Sequence, residues 1–177
     1  MKRLFLATEV PDETKDHLER FQVGIPKMRW IPKENFHVTL LYLGEVETLT
    51  QEEIQTSLQE QIPPKLSLHH QILHPKILSP KEKEICLVLE LELHPSLVAL
   101  RNQLVKILPS FKHSHEFLPH ITIGRGKEIS KSRLETYLLE FSYPTIPSYV
   151  TKNITLFEST LSQKGSRYVE VESYGKI

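Results

Sequence analysis

Two segments of this chain repeat one pattern, Phe36-His37-Val38-Thr39-Leu40 and Pro119-His120-Ile121-Thr122-Ile123. Each sets His-x-Thr in an apolar, β-branched run, the composition of a buried strand. Residues two apart share a strand face, so each segment presents one imidazole and one hydroxyl on the same side. In a chain with nine histidines among 177 residues, such a triplet with apolar second and fourth positions is expected roughly 0.1 times by chance. Two of them restrict the chain to folds in which a pair of similar strands shares one site.

The surroundings repeat too. Residues 3–8 read as a strand, and Pro11-Asp12-Glu13 opens a helix running to about residue 21. The first His-x-Thr strand ends at Gly44, Thr50 with Glu53 has the form of a capping box, and Ile54 and Leu58 share one helical face. Pro63-Pro64 closes that helix. Residues 66–78 read as extended, followed by a polar break over 81–84. Residues 85–93 alternate Ile85, Leu87, Leu89, Leu91 and Leu93 with Cys86, Val88, Glu90 and Glu92, which predicts a half-buried strand. Pro95 opens a helix striped by Leu97, Leu100, Leu104 and Leu108. The second His-x-Thr strand spans 117–125, a helix follows over 132–140, and strands are expected over 149–156 and 168–172.

The order strand, helix, His-x-Thr strand, helix thus occurs twice, over roughly 2–62 and 84–140. This predicts a single α+β domain spanning 1–177, bilobed and duplicated about a pseudo-twofold axis. Two antiparallel sheets line a central groove, helices lie outside, and the remaining strands complete the sheets. Clefts of this kind are common ligand sites.

Paired imidazoles suit acid–base chemistry on a phosphate ester. A neutral imidazole takes a proton from water and an imidazolium gives one to a leaving alkoxide, both near neutral pH. Each placed proton transfer contributes about 10²–10⁴ in rate. Opening a strained cyclic phosphodiester uses both transfers on opposite sides of phosphorus, so His37 and His120 are the candidate catalytic residues. Thr39 and Thr122 can bond the non-bridging oxygens, and Arg125 has the fork and permanent charge to hold a phosphoryl group. Its odd offset from His120 turns it away on a regular strand; Gly124 and Gly126 mark a bulge or turn that would redirect it. The competing readings are satisfied core histidines and, for Arg125, a surface salt bridge.

Composition limits the partner. Lys+Arg and Asp+Glu balance at 22 each, so the chain as a whole has no positive excess to track a long phosphate backbone. It fits gripping one phosphate or a nucleic-acid end, unless a local basic patch exists. The one cysteine, Cys86, excludes an intrachain disulfide and a multi-thiolate metal site, and its apolar run predicts a buried inert thiol. The apolar stretch after Met1-Lys2-Arg3 is too short for a signal peptide and no run is long enough to span a membrane, so the expected location is cytoplasmic. His69, His70, His74, His113 and His115 are the histidines that a metal site would draw on. The extended character of 66–78 and the lack of His-Glu-x-x-His make them solvent-facing side chains instead. Neither a phosphate-cradling Gly-rich loop nor a Gly-x-Ser-x-Gly elbow occurs, so no metal or cofactor is expected.

These residues resemble the 2H phosphoesterase superfamily, and within it the RNA 2′,3′-cyclic phosphodiesterases, also called 2′-5′ RNA ligases. Arg3-Leu4-Phe5-Leu6-Ala7 is similar to the family's first strand. Arg29-Trp30-Ile31-Pro32 leading into Asn35-Phe36-His37-Val38-Thr39-Leu40 and Leu43-Gly44 is similar as well, as are Pro119-His120-Ile121-Thr122-Ile123-Gly124-Arg125, Leu156-Phe157-Glu158-Ser159, Gly165 and Tyr168. The resemblance implies a bilobed fold and metal-independent hydrolysis of an RNA 2′,3′-cyclic phosphate to a 2′-phosphomonoester. His120 would activate water, His37 would protonate the leaving 3′ oxygen, and Thr39, Thr122 and Arg125 would bind phosphate. A reverse joining of RNA ends through a 2′-5′ bond is implied as a side capability. Residues 63–84 depart from the family's pattern, lacking a Phe-Pro turn and carrying the His69–His74 cluster.

The implied partner is an RNA 3′ end or a small nucleotide carrying a cyclic phosphate, met by a monomer with no membrane involved. Base recognition rests on stacking, for which Phe5, Tyr42 and Trp30 are candidates. Alternatives are a phosphodiesterase for 2′-5′ oligonucleotides or small cyclic nucleotides, a non-catalytic nucleotide-binding module, and a metal hydrolase that a chelator would silence.

Overall fold

The computed structural model describes residues 1–80, 83–111, 115–163 and 165–175. Among them are four α-helices and ten strands. The first half runs β1 (Lys2–Glu9), α1 (Asp12–Glu19), β2 (Arg29–Trp30), β3 (His37–Val46), α2 (Thr48–Gln61), β4 (Leu68–His70) and β5 (Ile72–Leu78). The second runs β6 (Glu84–Leu91), α3 (Pro95–Ile107), β7 (His120–Lys127), α4 (Lys131–Glu140), β8 (Tyr149–Thr151), β9 (Ile154–Ser162) and β10 (Gly165–Tyr174).

Two four-stranded sheets carry the fold, ordered β10-β9-β1-β3 and β2-β7-β6-β5, with β4 and β8 forming a separate pair. Every pairing is antiparallel. The sheets meet where β3, the edge of the first, touches β7 in the second. Both His-x-Thr segments therefore lie at the junction.

Each sheet has its own core. The first packs Leu4, Leu6 and Leu156 against Leu58 of α2 and Leu97 and Leu104 of α3. The second packs Leu87, Leu89 and Ile121 against Leu18 of α1 and Tyr137 of α4. Each such leucine, fully buried, contributes about 1.5–3 kcal/mol of transfer free energy. The helices do not follow the sequence blocks: α1 leaves the first sheet to cover the second, and α3 leaves the second to cover the first. Short linkers allow both this crossing and packing on the parent sheet, so the sequence left the choice open.

Several local expectations are corrected. Helix α2 begins at Thr48, with Glu47 at the N-cap and no side-chain cap bond. The Thr50–Glu53 pair therefore lies inside the helix and is no capping box, because the chain turns helical as soon as buried Val46 ends β3. Strand β6 is buried on both faces through its middle: Cys86 and Val88 are as covered as Leu87 and Leu89, whereas Leu93 lies beyond the strand and is exposed. Its second face looks into the junction between the sheets. The strand expected over 149–156 is two, because β8 pairs with β4 and β9 joins the first sheet. Part of the polar break at 81–84, and His113, lie outside the described residues. Cys86 is buried, as its apolar run predicts.

Candidate active site

His37, Thr39, His120, Thr122 and Arg125 line one cavity of about 190 Å³, together with Phe5, Tyr42, Tyr168 and neighbours. The period-two spacing accounts for the first four. Arg125 needs the irregularity that Gly124 suggested. Val88 pairs with Thr122 but Leu87 pairs with Gly124, so Ile123 is an extra residue in β7. That bulge reverses the alternation and returns Arg125 to the face of His120 and Thr122. The Ile123 carbonyl is held twice, accepting from the Ile31 amide at 3.0 Å and from Gln22 Nε2 at 3.0 Å. Gln22 also donates to the Ile31 carbonyl at 2.7 Å. Arg125 at the same time forms the ion pair of the competing reading, 3.6 Å from Glu84.

The first strand carries the same device. Leu6 pairs with Leu41 and Ala7 with Thr39, so Leu40 is the extra residue. The bulge directly after Thr39 brings Tyr42 onto the face of His37 and Thr39, as the bulge after Thr122 brings Arg125. Both strands therefore bring a third side chain to the cavity three residues after the threonine, tyrosine in one and arginine in the other.

The imidazoles are oriented alike. His37 Nδ1–H donates to the Asn35 carbonyl at 2.7 Å and His120 Nδ1–H to the Leu118 carbonyl at 2.8 Å. A carbonyl only accepts, which fixes the tautomer and leaves each Nε2 with its lone pair. His37 Nε2 accepts from the Thr39 hydroxyl at 3.1 Å. Asn35 is itself tied down, its amide donating to the Ser166 carbonyl at 2.8 Å. Phe5 and Tyr168 wall the His37 ring at centroid separations of 5.0 and 5.1 Å. Burial pushes the His37 imidazole down to about 4, the Asn35 carbonyl pulls back, and the charges of His120 and Arg125 push further down. His120 is lowered by burial and by Arg125, against the Leu118 carbonyl and Glu90. Both rings are thus neutral in the free protein at neutral pH, the state in which a base works. The negative charge of a bound phosphate diester favours the imidazolium that an acid needs.

Of the stacking candidates, Phe5 and Tyr42 line the cavity. Trp30 does not: it packs over Gly124, where an added Cβ would lie 3.0 Å from Trp30 Cε3. The reading of the middle histidines as solvent-facing holds for His69, His74 and His115 and fails for His70, which is fully buried. Its Nδ1 donates to the Leu68 carbonyl at 2.9 Å, its Nε2 lies 2.9 Å from the Thr8 hydroxyl, and its ring stacks on Tyr149 at 4.5 Å. The short β4–β8 pair roofs it, which the sequence of residues 66–78 did not reveal. Among the described residues no group of three His, Cys, Asp or Glu side chains is placed to share a metal ion. No described helix is long and apolar enough to cross a membrane. Sequence reasoning gave no role to Asn35, Tyr168 or Gln22. Asn35 and Tyr168 lay within the family-like segments, whereas nothing local marks Gln22.

Comparison with known proteins bears on family and fold. The family model of the 2′-5′ RNA ligase superfamily matches residues 10–152. An RNA 2′,3′-cyclic phosphodiesterase of Methanocaldococcus jannaschii is 27% identical over 179 residues, 97% of this chain and 99% of that one. One from Archaeoglobus fulgidus is 26% identical over 177 residues, again 97% and 99%. Crystal structures share the fold: E. coli LigT in apo form superposes with a TM-score of 0.71 at 22% identity, covering 98% of this chain and 96% of that one.

Proposed function

Because the chain belongs to the 2′-5′ RNA ligase superfamily, we propose that it hydrolyses RNA 2′,3′-cyclic phosphate ends to 2′-phosphomonoesters by two-histidine acid–base catalysis. The observation that carries this reading is the matched pair of imidazoles lining one cavity, each with Nδ1 tied to the carbonyl two residues earlier and its Nε2 an acceptor, which in His37 meets the Thr39 hydroxyl. The relatives named RNA 2′,3′-cyclic phosphodiesterase supply the substrate class.

In the proposed cycle Thr39, Thr122 and Arg125 hold the non-bridging oxygens. His120 takes a proton from water as its oxygen bonds to phosphorus. The bond from phosphorus to the 3′ oxygen breaks, and His37 delivers a proton to that oxygen. The product keeps its phosphate on the 2′ oxygen, with one proton taken and one returned. Among the described residues lining the cavity there is no carboxylate or thiolate to hold a divalent cation, and the histidines supply the chemistry directly. A 5′-hydroxyl in the place of water would leave a 2′-5′ bond, the joining reaction of the family's name. Both histidines come from one chain, so a monomer suffices. The shared His-x-Thr-bulge-x-ligand pattern of β3 and β7 supports one domain over 1–177 built from duplicated units near 2–62 and 84–140.

The test is turnover, in EDTA, of a short RNA ending in a 2′,3′-cyclic phosphate. Wild type should yield the 2′-phosphate, and His37→Ala and His120→Ala should each fall by a hundredfold or more. Activity surviving in either variant, or silenced by the chelator, refutes the mechanism.

A further inference from the structure

The cavity holding the histidines opens past Arg125 into a second concavity of about 210 Å³, lined by Lys27, Arg29, Glu84, Arg125, Gly126 and Lys127. Arg125 belongs to both. Lys27 in turn borders a third, larger concavity that runs to Ser130 and Arg133 at the start of α4. The three adjoin through shared residues, leading from the histidines past the end of β7 to the start of α4.

The strand geometry explains the cations. The bulge that brings Arg125 onto the His120 face also brings Lys127, two residues on, and at strand rise this is roughly 6.6 Å further along the same line. Arg29 pairs directly with Arg125 across from β2. Lys27 stands in a left-handed backbone at φ 64°, a conformation glycine adopts more readily. The wall of the second concavity thus carries four cations against one carboxylate, Glu84, which pairs with Arg125, while Arg133 and Glu128 line the third. Lys27, Arg29 and Lys127 are exposed, and no hydrogen bond or ion pair joins their side chains to another described residue. In a chain of zero formal net charge this is a local concentration, the patch that overall composition could not reveal. The contrast with other surfaces is direct: the concavity between α2 and β10 is lined by Glu52, Glu60 and Glu172, and Lys33 beside α1 is paired with Asp16 and Glu19.

We propose that this path binds the phosphodiester backbone of a single-stranded RNA on the 5′ side of its cyclic end, with Lys27, Arg29 and Lys127 contacting successive phosphates. The proposal rests on the hydrolase reading above. A cyclic phosphate terminates its strand, so the rest of the RNA leaves the site in one direction only. The opposite wall is aromatic, formed by Phe5, Tyr42 and Tyr168, and suits the terminal base. The backbone then departs over Arg125. It follows that the preferred substrate is an oligonucleotide rather than a cyclic mononucleotide, and that its length dependence resides in these three side chains.

The test uses adenosine 2′,3′-cyclic phosphate, a hexa-adenylate with the same cyclic end, and a fluorescein-labelled hexa-adenylate ending in a 2′-phosphate for anisotropy. The Lys27→Ala, Arg29→Ala, Lys127→Ala triple variant is compared with a Lys65→Ala, Lys106→Ala, Lys152→Ala triple that removes the same charge from other exposed positions. The path variant should lose tenfold or more in kcat/KM on the hexamer, stay within twofold on the mononucleotide, and bind the labelled hexamer with a logarithmic salt slope shallower by about 2, three single-strand contacts' worth. The control triple should leave hexamer binding unchanged. Equal losses on both substrates, an unaltered salt slope, or a matching loss in the control overturns the proposal. If wild type turns over neither substrate the hydrolase reading falls. The labelled hexamer then decides the path alone: binding weakened tenfold only in the path variant upholds it, and unchanged binding overturns it.

Discussion

Acid should unfold this protein through its buried imidazoles, and His70 isolates the effect. Burial holds the folded His70 ring at about 4, despite backbone groups of Leu68 and Tyr149 that pull the other way. Unfolded, the ring takes up its proton near 6.5. Between those values the unfolded chain binds more protons, so stability falls as pH falls. The contribution is fully present above 6.5 and is exhausted near 4. Going from about pH 7.5 to about pH 5 removes about 2 kcal/mol for His70 and about as much for His37, which is lowered to the same value. His70→Phe keeps a ring against Tyr149 but strands the Thr8 hydroxyl and the Leu68 carbonyl. At about pH 7.5 it should therefore be less stable than wild type by about 1–3 kcal/mol for each stranded group, and this deficit should shrink by about 2 kcal/mol by about pH 5. Urea melts followed by the fluorescence of the single tryptophan, Trp30, at a series of pH values separate the two signatures. Parallel pH profiles for wild type and His70→Phe would refute the reasoning, since a titrating buried ring must change the slope.

Three more outcomes are expected. The kcat/KM profile on a cyclic-phosphate substrate should peak below pH 6.5, because kcat/KM reports the free enzyme and both imidazoles are lowered there; a maximum above 7 contradicts it. Gln22→Ala should cut kcat/KM tenfold or more in the wild-type background and add no further loss to Arg125→Ala; additive losses would mean that Gln22 does not act through the bulge. Tyr137→Phe leaves the buried Phe21 carbonyl without the hydroxyl it accepts from at 2.6 Å and should cost about 1–3 kcal/mol, read as a fall of about 2–4 °C in Tm for each kcal/mol.

What the sequence determined was everything that depends on neighbours along the chain. Period-two alternation places His37 with Thr39 and His120 with Thr122 whatever the rest does. The stripe of Leu97, Leu100 and Leu104 yields α3, and the motifs with their flanks disclosed the family. What only the tertiary structure decided depends on contacts that have no sequence period. His70 is buried because β8, eighty residues later, pairs over it. Helices α1 and α3 cross to the opposite sheets because an apolar stripe specifies that a face is covered, never by which partner. Gly124 hinted at a bulge, but that Ile123 is the extra residue, held by Gln22 from a distant loop, is fixed by strand register between β6 and β7. That one-residue shift brings Arg125 and Lys127 to the histidines' side, since in a strand the face a side chain occupies follows from counting residues and the count changes wherever pairing slips.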